Sequence, residues 1–98
     1  MAVTKDELKK RICEEIDRRR DELHGIAKTI GNNPELGFKE FKTAKLVTDT
    51  LSKYDIPYQD CLAITCVSAI MMGENPGPTI GIFGELDALG VSGHPLAN

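Results

Sequence analysis

Two carboxylates near the end of the sequence are its strongest candidates for chemistry. Glu85 and Asp87 close the apolar run of "TIGIFGELDALG", which reads as a buried strand followed by a glycine-containing loop. Because side chains alternate along a strand, the two acids should share one side, with Leu86 on the other. Acids at the carboxyl end of a strand in an open α/β sheet could hold a divalent metal, a phosphate or a substrate. The same spacing also fits acids that meet only solvent or a helix N-terminus.

Other reaction chemistries lack the residues they need. A nucleotide site would require a G-x-x-x-x-G-K-[ST] loop, and the sequence contains none. A catalytic zinc usually takes three protein ligands, whereas the chain has two histidines. His24 falls within a helical pattern and reads as a packing residue, while His94 lies in a loop and its role stays open. Ser68 and Ser92 have no neighbouring base that would activate a hydroxyl.

Composition narrows the partners of the chain. The 98 residues carry a formal net charge of −3, with 41% hydrophobic and 28% charged residues, which argues against nucleic acid or an anionic membrane as a partner. No apolar run is long enough for a membrane span or a signal core, so a cytoplasmic location is predicted. The three cysteines, Cys13, Cys61 and Cys66, read as reduced thiols rather than a zinc or disulfide framework.

Two helices are predicted to precede the strand of the two acids. Thr4 and Glu7 have the spacing of a capping box, and apolar residues recur at helical spacing from there, which predicts a helix over about 5–30. "GNNP" supplies a left-handed turn and a proline that end it. A second helix is predicted over about 38–54, ended by "DIP".

Three strands are predicted after the helices, over about 58–62, 64–72 and 79–86. "AITCVSAIMM" is apolar on both faces, as in a strand covered on both sides. "GENPGP" is turn chemistry and predicts a hairpin loop between the last two strands. The fold class predicted is therefore α/β, with two N-terminal helices followed by a small mixed sheet of about three strands. Such a sheet has exposed edges and one poorly covered face, so it looks incomplete.

The order of these motifs resembles one enzyme family. "NPELGFKEFKTA" and "GPTIGIFGELDAL" together are similar to the amino-terminal part of zinc-dependent amidohydrolases. These aminoacylase/carboxypeptidase-like peptidases include the hippurate and aminobenzoyl-glutamate hydrolases. The resemblance covers about residues 18–90. It implies a catalytic domain with a central sheet, interrupted by a smaller domain that often mediates dimerisation, and hydrolysis of an amide bond by metal-activated water.

The resemblance also implies roles for the two acids. In the wider superfamily a His-x-Asp triplet ends this strand, the histidine binding metal and the aspartate supporting the site. Asp87 matches the supporting aspartate, and Glu85 stands at the histidine position, so no ligand role is carried over to it. The family's metal ligands come from a later His-Ala-Cys-Gly-His type segment and from residues beyond it, none of which is in this sequence. Glu35 and Glu40, in "PELGFKE", read as capping rather than catalytic residues.

Two hypotheses follow for residues 1–98. In the first, they are the N-terminal portion of one catalytic domain whose parent binds zinc or another divalent metal. That parent is expected to hydrolyse N-acyl amino acids or small peptides, and it could form a homo-oligomer. This chain alone is expected to bind no metal and to be inactive. In the second, the chain is a stand-alone binding or oligomerisation module whose exposed strand edges recruit a partner.

Overall fold

A computed structural model describes residues 3–90 as three helices followed by a two-stranded sheet. The chain divides into two compact units, the first ending at Asn32 and the second beginning at Asn33. The mixed α/β class is confirmed, but the predicted count of two helices and three strands is not. The elements in chain order are α1 (Lys5–Arg18), α2 (Arg20–Asn32), α3 (Phe41–Lys53), β1 (Tyr58–Leu62) and β2 (Cys66–Ala69).

The first unit begins at the capping box that the sequence predicts. The Glu7 backbone N–H donates to Thr4 Oγ1 at 3.1 Å, and the Thr4 N–H donates to Glu7 Oε2 at 3.4 Å. Two backbone N–H groups that the helix cannot satisfy internally therefore find acceptors in local side chains. The prediction of where α1 begins is confirmed.

The single helix predicted over about 5–30 is interrupted at Arg19, so this prediction was wrong in one respect. Arg19 has φ −97° and ψ 15°, and its N–H donates to the carbonyls of both Glu15 (3.1 Å) and Ile16 (3.2 Å). Such a shared bond marks a tightened turn. The Glu15 carboxylate accepts from Arg19 Nε at 2.5 Å and from the Arg18 guanidinium. The side-chain bond from Arg19 lowers the pKa of Glu15 against its desolvation. Arg18 and Arg19 of the arginine run thus form an ion-pair cluster with Glu15 on the helix.

In the second unit, β1 and β2 form an antiparallel hairpin next to α3. The register pairs Tyr58 with Ala69 and Leu62 with Cys66, and it shifts between these two pairs, which marks a bulge. Three residues of the hairpin have positive φ: Cys61 lies where the register of β1 shifts, and Ala63 and Ile64 lie in the turn, Ile64 with φ 79°. A β-branched residue in this region is strained, because its Cβ crowds the backbone.

Three predictions about the strands were wrong. The run predicted as a strand over 64–72 is a strand only at Cys66–Ala69, and no hairpin forms at "GENPGP" within residues 3–90, whose hairpin joins β1 to β2 through a turn at 63–65. The predicted strand over 79–86 is not a strand in the described chain. A strand exists only when its backbone pairs with a neighbour, and no neighbour for 79–86 is present within residues 3–90.

The burial pattern is the reverse of that in an ordinary domain. Within the described residues no apolar side chain is fully buried. Ile82 and Phe83, predicted to be covered, are 94% and 95% exposed. Large apolar surface that is left open in this way usually marks a contact with further protein. None of the helices within residues 3–90 combines the length and the apolar character needed to cross a bilayer. The buried side chains are Glu40, Thr43, Thr48 and Thr65.

Candidate functional site

The two candidate acids lie on an extended segment of the second unit. Glu85 and Asp87 are exposed, whereas Leu86 between them is half-buried. This alternation of exposure follows the spacing in the sequence. Within the described range neither carboxylate is held by a hydrogen bond or an ion pair, so both are open to solvent. Their role toward a metal stays a prediction.

Glu35 holds the start of helix α3 from outside that helix. Its carboxylate accepts the N–H of Lys42 at 3.0 Å, the N–H of Thr43 at 2.7 Å and the Thr43 hydroxyl at 2.8 Å. These N–H groups belong to the first turn of α3, where the helix offers them no acceptor. Negative charge is also favoured at that end of the helix dipole. Glu35 is therefore a cap, as "PELGFKE" predicted.

Glu40 has a different role from the one predicted for it. It is the residue immediately before α3, yet its side chain makes no capping bond to that helix. Its carboxylate accepts the N–H of Phe38 at 2.9 Å and a short hydrogen bond from the Thr65 hydroxyl. Glu40 and Thr65 are 6% and 8% exposed. This pair therefore fastens the loop before α3 to the turn of the β1–β2 hairpin.

The hydrogen bonds to Glu35 and Glu40 lower the pKa of both carboxyl groups, which favours their ionised forms. Burial by itself raises the pKa of Glu35, but the bonds from Thr43 and Lys42 outweigh it, so its pKa lies below the ordinary value of 4.5. The Thr65 hydroxyl lowers the pKa of Glu40 in the same way, against burial and the nearby charge of Glu35. An acid that is ionised and already occupied by donors is poorly suited to deliver a proton at neutral pH. These glutamates are thus fasteners of the fold.

A cleft of about 500 Å³ lies beside the Glu40–Thr65 pair. Gly84 and Leu86 border it, so the acid-bearing segment runs along its edge. Its walls are mostly apolar, and its buried carboxylate and hydroxyl already bond to each other. The cleft therefore offers mainly apolar surface, and its carboxylate and hydroxyl are already engaged with each other. Its other linings include Gly37, Phe38, Val47 and Val67.

The described residues do not compose a zinc site. Between positions 3 and 90 no three His, Cys, Asp or Glu side chains come together in a metal-binding arrangement. The two exposed acids offer at most two carboxylates, whereas a catalytic zinc takes three protein ligands. His24 is exposed on α2, and His94 lies outside the described residues. All three cysteines are free thiols.

Two fastenings of this region were missed by sequence reasoning. One is the bond from the Thr65 hydroxyl to Glu40, across 25 residues. The other joins the backbone N–H of Ala88 to the Glu35 carbonyl at 2.7 Å. A backbone acceptor leaves no trace in residue type, and a lone threonine in a turn does not indicate its distant partner. Neither fastening therefore left a signal in the sequence.

Comparison with known proteins shows that the chain is similar to part of several hydrolases. It is 39% identical over 67 residues to thermostable carboxypeptidase 2 of Saccharolobus solfataricus, covering 67% of this chain and 17% of that protein. It is 36% identical over 69 residues to an IAA-amino acid hydrolase of Arabidopsis thaliana, covering 70% of this chain and 16% of the relative. It is 32% identical over 87 residues to an N-acyl-L-amino acid amidohydrolase of Geobacillus stearothermophilus, covering 89% and 22%.

The matches cover very different shares of this chain and of its relatives. They take in most of this chain, yet the chain spans only 16–22% of the length of these relatives. No family model matches the chain, and no solved structure matches it significantly. Over most of its length the chain nevertheless belongs, by sequence, with the carboxypeptidases and N-acyl-amino acid amidohydrolases that its two motifs resemble.

Proposed function

We propose that the chain is the N-terminal part of the catalytic domain of a metal-dependent amidohydrolase. The whole enzyme would hydrolyse the amide bond of N-acyl amino acids or small peptides. The observation that carries the proposal is the identity of 32–39% to relatives named as a carboxypeptidase, an IAA-amino acid hydrolase and an N-acyl-L-amino acid amidohydrolase. Two of these three names specify an amino acid conjugate or an N-acyl amino acid as the substrate. A net charge of −3 fits such substrates better than a nucleic acid.

In this proposal residues 1–98 contribute scaffold and one supporting acid. Asp87 would support the metal site and Glu85 would border it, while the ligands would come from other parts of the enzyme. A bound zinc or other divalent ion would supply activated water for hydrolysis. Since the resemblance assigns the metal ligands to other segments of the enzyme, the chain alone is expected to be inactive. The free thiols of the chain agree with the reducing environment of a cytoplasmic enzyme.

The exposed apolar segment supports this reading of the chain as part of a larger domain. Residues 79–86 have the composition of a covered strand, yet Ile80, Ile82 and Phe83 are between 83% and 95% exposed. Burying such side chains stabilises a fold by roughly 1.5–3 kcal/mol each. That stabilisation is not realised in the described chain. A larger catalytic domain would supply the covering strands and helices.

Complementation tests the proposal directly. The chain is mixed with a form of the Geobacillus amidohydrolase that lacks the region matched to it, and hydrolysis of an N-acetyl amino acid is followed. We expect neither piece alone to be active, the mixture with zinc to be active, and Asp87→Ala in the chain to abolish the gain. Glu74→Ala, an acid in the "GENPGP" turn, is the matched control and should retain it. The relative's own excised region serves as the positive control. If that region restores activity and this chain does not, the proposal fails.

A binding or oligomerisation module is the second candidate. The observation that favours it is the two-stranded sheet, whose outer edges carry unpaired backbone groups in the described chain. Such edges can accept a further strand from a partner. Light scattering of the chain separates the candidates. A discrete assembly of defined mass favours the module, whereas a monomer or an ill-defined aggregate favours the part of an enzyme.

A further inference from the structure

One main-chain hydrogen bond connects the acid-bearing segment to the loop before α3. The backbone N–H of Ala88 donates to the carbonyl of Glu35 at 2.7 Å, across 53 residues of sequence. Ala88 directly follows Asp87, so the bond fixes the backbone next to the carboxylate. Between residues 70–90 and the rest of the described chain it is the only hydrogen bond. The placement of Asp87 therefore depends on it.

The acceptor residue is itself held by its side chain. The Glu35 carboxylate receives three hydrogen bonds from Lys42 and Thr43 at the start of α3, all between 2.7 and 3.0 Å. Charge-assisted bonds of this kind are stronger than neutral ones. Glu35 thus makes contacts in two directions. Its side chain is anchored to a helix, and its carbonyl anchors the segment of Asp87.

The loop that carries Glu35 is fastened at its other end as well. Glu40 bonds to the N–H of Phe38 within the loop and to the Thr65 hydroxyl of the hairpin turn. Gly84 and Leu86 lie along the same cleft as this loop. The segment of Asp87 therefore rests against a loop that is pinned both to α3 and to the hairpin. Rigid support of this kind is what a functional side chain needs to keep its position.

We propose that Glu35 is a positioning residue for Asp87, acting as a clamp between helix α3 and the acid-bearing segment. The contact is independent of any reaction, whereas its meaning for catalysis rests on the proposed function. A misplacement of about 1 Å at a reacting centre can lower a rate by about a hundredfold. A clamp that joins a helix to Asp87 would limit such displacement. The role differs from that of a cap, because a cap would act on α3 alone.

Amide hydrogen exchange on the 98-residue chain tests the clamp. In Glu35→Ala the side-chain anchor is removed while every backbone group remains. We expect exchange at the Thr43 amide and at the Ala88 amide to accelerate together, each by about five- to tenfold, the equivalent of one net hydrogen bond. The backbone signals of Asp87 should shift as well. Glu35→Gln keeps one acceptor oxygen and should give a smaller change at both amides.

Thr50→Ala is the matched control, since it removes a bond from the Thr50 hydroxyl to the Leu46 carbonyl late in α3 and does not touch Glu35. Exchange at Ala88 should stay unchanged in it. Acceleration of Ala88 in this control to the same degree would mean general loosening and would overturn the clamp. A faster Thr43 amide with an unchanged Ala88 amide in the Glu35 variants would also overturn it, leaving Glu35 a cap. If Glu35→Ala does not fold, exchange at the Thr43 and Ala88 amides is measured in Glu35→Gln instead, and the same criteria decide whether Glu35 is a clamp.

The complemented enzyme provides a second readout. There Glu35→Gln should lower kcat while leaving KM near its original value, because a clamp on Asp87 affects the reaction more than substrate binding. A loss confined to KM would overturn the positioning role. If complementation gives no activity even with the unaltered chain, the proposed function fails, while the exchange result still decides whether Glu35 clamps the segment. The two failures are therefore distinguishable.

Discussion

The extended residues 70–90 are richer in apolar residues than helices α1 and α2, yet only the helices form regular structure. In the helices Ile12 and Ile16 are a little over half exposed, and the backbone is fully hydrogen-bonded along the helix. In residues 70–90, Ile82 and Phe83 are almost completely exposed, and the bond at Ala88 is the one backbone pairing with the rest of residues 3–90. The contrast is between an element that forms from its own residues and one that requires a neighbour.

The difference teaches where the information for each element resides. A helix closes its hydrogen bonds within about four residues, so a capping box and an ion-pair cluster are enough to define it. A strand makes its backbone hydrogen bonds with another segment, so a segment can have the composition of a strand and still not form one when its partner is absent. The hairpin and α3 lie between these extremes. They depend on two glutamates that act across distances of up to 25 residues.

Acid should have the largest effect and should weaken the second unit, which two carboxylates fasten, more than the first, in which the pKa of Glu15 is lowered. Because the pKa values of Glu35 and Glu40 are lower in the folded state, their stabilisation is present above the unfolded pKa of about 4.5 and is lost as pH falls through the folded value. As pH falls below about 4.5 and through the folded pKa values, the fastenings of α3 and the hairpin should therefore weaken progressively. Amide exchange at pH 6 and pH 3, corrected for intrinsic rates, would show loss of protection in the second unit. Equal protection at both pH values would contradict this.

Thr65→Val should be the next largest effect. It keeps the shape of the side chain but removes the hydroxyl that donates to the buried Glu40 carboxylate, and an occupied acceptor left without its donor is costly. We expect Tm to fall by several degrees and the hairpin amides to exchange faster, with α1 and α2 unchanged. Thr65→Ser retains the donor and is the matched control. Equal losses in both variants would show that the hydroxyl contributes little.

Thr4→Ala addresses the locally determined helix. It removes the acceptor for the Glu7 N–H and half of the capping box, which should cost about 1 kcal/mol of α1 stability. Circular dichroism should show a small loss of helix, and amide exchange should accelerate in the first turn only. Thr4→Ser keeps the cap and should restore the signal. A change that spread to the hairpin would refute the view that α1 is defined locally.

Ile64→Gly should strengthen the hairpin modestly. Ile64 has φ 79°, a conformation that costs a non-glycine residue about 1–2 kcal/mol, and the greater freedom of glycine in the unfolded chain offsets about 0.5–1 kcal/mol. The net gain should be about 0.5–1 kcal/mol, measured by urea unfolding of the second unit. Ile64→Val keeps the β-branch and should bring no gain. A loss of stability with glycine would mean that the isoleucine side chain makes contacts that matter more than its strain.

Ile82→Lys should have the smallest effect on the stability of this chain. It tests most directly the contrast between the self-contained helices and the uncovered residues 70–90. Since the side chain is 94% exposed, a charge there should change the free energy of unfolding of this chain by no more than about 0.5 kcal/mol. Val67→Lys, at a half-buried position of β2, is the matched control and should cost clearly more. A large loss from Ile82→Lys in the 98-residue chain would show that residue 82 already packs. In the complemented enzyme, by contrast, the substitution should be severe.

The sequence predicted those features whose causes lie close together along the chain. The start of α1, the body of α3 and strand β1 follow from a capping box, helical periodicity and a proline boundary. It did not predict the turn at Arg19, because the simultaneous pairing of Glu15 with Arg18 and Arg19 is decided by geometry. Nor did it predict the Glu40–Thr65 bond, which the same residue types would allow in many other pairings. The strand over 79–86 was read from composition, and composition cannot supply the neighbour that a strand needs.

The open segment around Ile82 also has a consequence in time. Translation proceeds at about 5–20 residues per second. If the chain begins a protein as long as the Saccharolobus carboxypeptidase, in which 67 matched residues are 17% of the length, about 300 residues would follow it. Residues 79–84 would then wait uncovered for roughly 15–60 seconds. Charged residues beside an apolar strand hinder its association with other chains. Glu85 and Asp87 would thus protect the nascent chain from aggregation well before either could take part in a reaction.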